Sequence, residues 1–269
     1  DPILNVLRGT EIIHSDLNAV ITGFSEPDDG VEATSEGPFR EFTVVFHDEM
    51  KAVQAFEVLD GESFHGVRDG FGVNYGAQSM GAALVSTREH IGPGANCAEC
   101  AYEEMYLSSW ALGDPALLGA YPDDPSNVHH SYLGDRVKFR NLHAGPKETH
   151  VFHLHAHQWL AQEGGANSTY LDSQSIGPRQ GFTYEITYGG SGNRNGTVGD
   201  SIFHCHLYPH FAQGMWELWR VHDVFEDGTR FLPDGELGQG TDPMSGATAG
   251  GTPIPAVIPM PGQSMPPKP

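Results

Sequence analysis

A lone cysteine set directly between two histidines, His204-Cys205-His206, is the most chemically loaded tripeptide in this chain. His210 follows shortly after it, and Met215 lies five residues further on. A second cluster, HVFHLHAH, contributes His150, His153, His155 and His157, so seven of the fifteen histidines fall in two short stretches. On a β-strand, successive side chains point to opposite faces. His204 and His206 therefore face one way and Cys205 the other, while His153, His155 and His157 are expected on a common side. A soft thiolate, two imidazoles and a weak thioether form the donor set of a blue-copper electron-transfer centre. Cys205, His210 and Met215 supply three of these donors, and His150, on another strand, is well placed to supply the second imidazole. The remaining histidines have no thiolate or acid among them, which suits copper held by neutral imidazole and open to a small molecule. Zinc prefers a closed four-ligand set, and no single such set absorbs all seven histidines.

The pattern H-x-x-H-x-H, followed downstream by H-C-H-x3-H-x4-M, resembles the third and fourth copper-binding motifs of the multicopper oxidases. The match covers about residues 100–235. Carried over residue by residue, it implies that His150, Cys205 and His210 are type 1 copper ligands, with Met215 axial. It further implies that His153 is a type 2 ligand and that His155, His204 and His206 are type 3 ligands. Cys205, His204 and His206 then form the electron path from the type 1 copper to a trinuclear cluster. Asp172 sits where laccase-like proteins often carry an aspartate between these motifs. More loosely, residues 42–49 and 71–76 resemble strands of the preceding cupredoxin unit in large bacterial members. The implied activity is one-electron oxidation of a small reducing substrate, coupled to four-electron reduction of dioxygen to water. Phenols, Mn(II), Fe(II) and Cu(I) all fit as donors, and the implied location is extracytoplasmic.

One departure from the family is as informative as the match. Earlier motifs of a complete oxidase each add an HxH pair. Here His153/His155, His155/His157 and His204/His206 are the only such pairs, and residues 1–149 contain none. A homo-oligomer cannot repair this, because every copy lacks the same pairs. The expected partner is a different chain, or an N-terminal region not included here, carrying two HxH motifs. The competing expectation is a single-copper blue electron-transfer protein without oxidase activity. Copper storage is disfavoured, because Met244, Met260 and Met265 are sparse.

These ligands need strands to hold them, and the chain reads as strands. Short β-type runs alternate with turn clusters rich in the 34 glycines and 19 prolines, which argues for an all-β sandwich. With the resemblance, this predicts a cupredoxin-type Greek-key β-sandwich. Candidate strands cover 11–22, 42–47, 105–110, 136–141, 181–188, 201–205 and 215–221. Residues 100–235 read as the copper-binding domain, and 1–99 as a partial or irregular second β unit without copper. Residues 236–269 read as a Pro/Gly-rich extended tail or linker. The glycine-rich run 189–196 lacks the strand–helix context and lysine of a phosphate loop and reads as a turn.

Acidic residues outnumber basic ones 35 to 14, for a formal charge of −21. Nucleic acid is therefore excluded as a partner, since phosphate binding needs clustered Lys and Arg. No apolar run approaches the roughly 20 residues needed to span a bilayer. The first residues lack a signal-peptide pattern; Asp1 fits either a cleaved N-terminus or a piece of something longer. Cys97 and Cys100 form a CxxC pair open to a disulfide, to a metal site with His90, or to the reduced state. His157 is expected to support the ligands or lie at the surface. His14, His47, His65, His90, His143 and His222 are isolated and expected to be satisfied or exposed, and His129 and His130 to mark a strand entrance. Glu148 and Glu217 flank the proposed ligands and are expected to be solvated. Trp159, Trp216 and Trp219 are expected to pack against the ligand strands.

Overall fold

The computed structural model describes residues 5–8, 11–15, 18–21, 37–50, 70–74, 128–162, 165, 167–212, 215–232, 252–254 and 256–269. Two packed sheets dominate the described residues. One runs β11 (Ser173–Ile176), β8 (His150–Leu154), β13 (Gly199–Cys205), β14 (Trp216–His222) and β6 (Val128–Tyr132). The other runs β12 (Gly181–Glu185), β7 (Val137–His143), β4 (Phe39–Met50) and β3 (Asn18–Ile21). β5 (Gly70–Val73) shares the β3 edge of β4 by pairing with its later residues. Shorter pairs are β1 (Asn5–Arg8) with β2 (Glu11–Ser15), β9 (Trp159–Leu160) with β10 (Tyr170–Leu171), and β15 (Phe231–Leu232) with β16 (Thr252–Pro253). A single short helix, α1 (Tyr208–Ala212), is present among the described residues. None is long and apolar enough to cross a membrane.

The chain crosses between sheets from β7 to β8, returns from β11 to β12, and crosses again to β13. The incoming and outgoing strands lie side by side in both sheets, which is a Greek-key arrangement. Each sheet also holds one parallel pair, β14 with β6 and β4 with β7. The all-β, cupredoxin-type sandwich expected from the sequence is the fold.

Period-2 alternation decides what lies between the sheets. Phe42, Val44 and Phe46 of β4, Val137 and Phe139 of β7, Phe152 and Leu154 of β8, and Phe203 of β13 all join one buried cluster. Phe139 is central: its ring lies 5.3 Å from Phe42, 5.8 Å from Phe152, 5.6 Å from Phe203 and 5.3 Å from Trp219. Edge and tilted contacts of this kind add about 0.5–1.5 kcal/mol per pair beyond burial.

Three expectations about organisation change. The run 11–22 forms two elements, β2 and β3, rather than one strand. Residues 39–50, expected in a separate irregular unit, supply a strand at the heart of the second sheet, paired with β7 over seven positions. The 99/100 division therefore does not separate two sheets. Arg40 fastens this joint, its Nε and Nη2 donating to Asp135 Oδ2 at 2.9 and 2.7 Å in a buried ion pair. The C-terminal run, expected to be an extended tail or a linker, packs onto the sandwich through its earlier described residues, while 261–269 are largely exposed. Ile254, Val257 and Met260 are buried. The Tyr132 hydroxyl donates to Val257 O at 2.9 Å, and Arg40 Nη2 donates to Ile258 O at 2.7 Å. Proline-rich chain lacks donors but keeps its carbonyls, and the sandwich supplies donors to meet them. The candidate strand 105–110, and Cys97 with Cys100, lie outside the described residues.

Candidate metal centre

The inward parity of four strands ends at one place. Continuing the buried register of β4 beyond Phe46 gives Asp48, and that of β7 beyond Phe139 gives Asn141 and His143. β8 begins inward with His150, and β13 ends inward with Cys205. All of these side chains are buried. His210, from α1, closes the group: one ligand atom each from His150, Cys205 and His210 lies within 4.8 Å of the others.

Hydrogen bonding orients the His210 ring. His210 Nε2 lies 3.1 Å from Glu148 Oε2, so it carries the proton and leaves the Nδ1 lone pair inward. Nδ1 of His210 is 3.4 Å from Cys205 Sγ, and Nδ1 of His150 is 3.8 Å from the same sulfur. The two Nδ1 atoms are 3.0 Å apart. Phe71 stacks on His210 with centroids 4.1 Å apart, while His143 stacks on His150 at 4.4 Å. The Val151 amide donates to Cys205 Sγ at 3.4 Å. Met215 is fully buried in the same cluster as Cys205, and its carbonyl accepts the Cys205 amide at 3.0 Å.

This donor set fits a soft cation. Burial pushes the Cys205 thiol above its ordinary value, against weaker help from the Val151 and Leu207 amides, so a thiolate at this depth needs an adjacent positive charge. Burial, with His143 and His210 beside it, lowers His150 to about 4 despite Asp48. His150 is thus a neutral imidazole at pH 7, the form that binds metal. One thiolate and two imidazoles suit copper by softness.

The opposite face of β8 and β13 carries the second set. His204 is paired with His153 across the strands, and the ring centroids of His153, His155, His204 and His206 lie 4.8–5.6 Å apart in successive contacts. Nδ1 of His153 donates to Asp172 O at 3.0 Å, and Nδ1 of His204 donates to Cys205 O at 2.9 Å. Both rings therefore offer Nε2 as the free lone pair. Nε2 of His204 sits 3.2 Å from Nε2 of His155. Burial lowers His204 to about 4, and burial with His153 and His206 lowers His155. Unlike the first set, this one is partly open: His155 and His206 are exposed.

His157 departs from the shared side. Ala156 adopts a left-handed φ of 61°, which breaks strand alternation and turns His157 inward. Its ring stacks on Trp219 at 4.0 Å. Nδ1 donates to His155 O at 3.1 Å, and Nε2 accepts the Gly192 amide at 3.0 Å. With both nitrogens engaged, it supports the fold and offers no ligand atom.

Glu148 stays partly solvated as expected, whereas Glu217 does not. Glu148 is 38% exposed but contacts His210. Glu217 is 1% exposed and faces Asn74 Nδ2 at 3.3 Å and His129 Nε2 at 3.5 Å. Inward parity with Met215 and Trp219 explains its depth, and burial raises its carboxyl well above the ordinary range. Asp172 offers its carbonyl to His153; its carboxylate is 52% exposed, with Oδ1 3.9 Å from His153 Nδ1. His129, His130, His143, His47 and His222 are all buried. Trp159 lies 5.7 Å from Phe152 of β8, and Trp216 and Trp219 sit on β14 across from His204 and Ser201 of β13, so the three tryptophans do pack against the ligand strands. Sequence reading missed Asp48 and His143 as neighbours of His150. Only their place at the ends of inward-facing strands hints at it.

No family model matches this chain. A probable nitrite reductase–hydroxylamine oxidoreductase fusion protein of Kuenenia stuttgartiensis is 25% identical over 122 residues, covering 45% of this chain and 13% of that protein. Among solved structures, a Campylobacter jejuni multicopper oxidase described as a metallo-oxidase matches 34% of the chain and 20% of its own, at 19% identity and TM-score 0.28. The McoA multicopper oxidase of Aquifex aeolicus matches 75% and 32%, at 11% identity and TM-score 0.35. A further multicopper oxidase matches 68% and 44%, at 12% identity and TM-score 0.36. The chain thus spans less than half the length of each of these proteins, and the solved structures it partly resembles are multicopper oxidases.

Proposed function

We propose that this chain is a component of a copper-dependent oxidase. In this reading His150, Cys205 and His210 hold one copper, with Met215 as its axial neighbour. His153, His155, His204 and His206 supply half of a trinuclear centre. Copper there would supply one-electron oxidation of a small donor at the first set and dioxygen reduction to water at the second. The observation that carries the proposal is the peptide 204–206. Cys205 points between the sheets to His150 and His210, while His204 points out to His153 and His155. Three consecutive residues join the two donor sets through bonds alone.

The residues divide the work by depth. His150 and Cys205 are fully buried, which excludes water from the first set and holds its geometry. His210 with the half-exposed Glu148 is the side from which a phenol or a Mn, Fe or Cu ion would deliver an electron. His155 and His206 leave the second set open, as a set completed by a second chain or an additional N-terminal region requires. In keeping with the family resemblance, we place the protein outside the cytoplasm.

The native assembly should contain three or four coppers, consume oxygen with a reducing substrate, and include a polypeptide segment with two HxH motifs. One copper per chain without oxygen uptake would instead make it a single-copper electron carrier, a reading favoured by the completeness of the first donor set within this chain. Nitrite belongs in the acceptor assay, because the sequence relative is described as a nitrite reductase fusion. Cys205→Ser should abolish the thiolate-to-copper absorption band while leaving the circular dichroism unchanged. A retained band would remove Cys205 from the site.

A further inference from the structure

Two buried polar atoms beside the sulfur-centred set lack hydrogen-bond partners: Nε2 of His150 and Oδ1 of Asp48. They belong to side chains that already face each other, with His150 Nε2 3.5 Å from Asp48 Oδ2 and both side chains at most 1% exposed. An unsatisfied buried polar atom is costly, so a small rotation that joins the pair is favoured twice over. Asp48 is itself anchored, because its Oδ2 accepts the Glu148 amide at 2.7 Å. That contact ties the end of β4 to the turn that leads into His150.

We propose that Asp48 is the positioning residue of this centre: its carboxylate accepts a hydrogen bond from the Nε2–H of His150, which keeps the proton there and turns the Nδ1 lone pair toward Cys205. The inference rests on reading His150, Cys205 and His210 as a copper site, and adds to it a residue more than a hundred positions away in sequence. The group Asp48, His143 and His150 also has the spacing of a metal site. His143 argues against a second metal there. Its Nε2 donates to Glu148 O at 2.5 Å, and its Nδ1 accepts the Gly145 amide at 3.1 Å. Both nitrogens are occupied, leaving His143 as a stacking plate for the His150 ring. A carboxylate behind a ligating imidazole fixes its tautomer and raises its basicity, which favours the more positive, cupric state.

Asn at position 48 is the sharp test, because its oxygen can keep the Glu148 amide while its NH2 turns a donor toward His150. His150 would then accept at Nε2 and carry its proton on Nδ1, toward Cys205. Long-range 15N–1H NMR of the metal-free wild type should find the His150 proton on Nε2, and Asp48→Asn should move it to Nδ1. Copper(II) affinity of Asp48→Asn should fall about 10–100-fold, and the reduction potential of the bound copper should rise. A wild-type His150 protonated on Nδ1 would overturn the proposal even if the variant failed to fold. So would Asp48→Asn with unchanged affinity and potential, or with one metal fewer per chain, which would make the group a second metal site. If wild-type protein with copper shows no thiolate-to-copper band, the copper-site reading itself fails, and the tautomer still reports on Asp48 separately.

Discussion

Met215 and Cys205 meet through the backbone as well as in the core, with the Met215 carbonyl accepting the Cys205 amide. In the proposed copper site the Met215 thioether would be the weak axial donor, and the potential of a blue-copper centre is tuned by that donor. Met215→Leu removes the sulfur and keeps an apolar side chain of similar volume, a swap that costs under about 1.5 kcal/mol in a packed core. The potential of the bound copper is expected to rise, measured by redox titration of the visible band. An unchanged or lowered potential would count against axial ligation.

At the scale of elements, the buried Arg40–Asp135 pair joins β4 to the turn between β6 and β7. Removing one member of a buried pair leaves an uncompensated charge and costs about 3–5 kcal/mol. Asp135 Oδ2 also accepts the Tyr132 amide at 2.9 Å, so Asp135→Ala loses a turn contact as well. Its urea midpoint should fall by an amount matching that range, with the slope of the transition unchanged. A loss below about 1 kcal/mol would mean that water reaches the Arg40 guanidinium and that the joint between β4 and β7 is held by strand pairing alone.

Over the whole molecule, buried histidines couple stability to pH. His130 lies 2.9 Å from His222, which faces Glu226 at 3.4 Å. Arg220 and Arg40 add positive charge, Tyr132 lies beside the pair, and Asp200 and Glu226 oppose the positive charge. Burial and then the neighbouring His222 push His130 well below 6.5, burial lowers His222, and burial takes His157 to about 4. Each folded value lies below the unfolded one, so the unfolded chain binds more protons in between. The stability these groups contribute is full above about pH 6.5 and is lost as pH falls toward 4. Urea midpoints of the metal-free protein should drop across that window. His130→Gln should flatten the dependence, and a slope identical to wild type would exclude His130 as a contributor.

Several features were legible in the sequence because they depend on near neighbours. Alternation along β13 alone sets Cys205 against His204, so two donor sets on opposite faces follow from three adjacent letters and the strand period. The same period and the density of turn residues identified the all-β class. Other features depend on which strands become neighbours, and no local rule supplies that. Parallel pairing of β4 with β7 brought Asp48 and His143 to His150 and merged two stretches of sequence into one sheet. A single left-handed residue, Ala156, took His157 out of the row in which alternation had put it. Glu217, a charged residue that composition assigns to water, was drawn inside by the parity of its strand and met there by Asn74 and His129. The candidate ligands were therefore readable from spacing. Their support, burial and orientation were decided by tertiary pairing, because a hydrogen-bond partner a hundred residues away exists only once the sheets have closed.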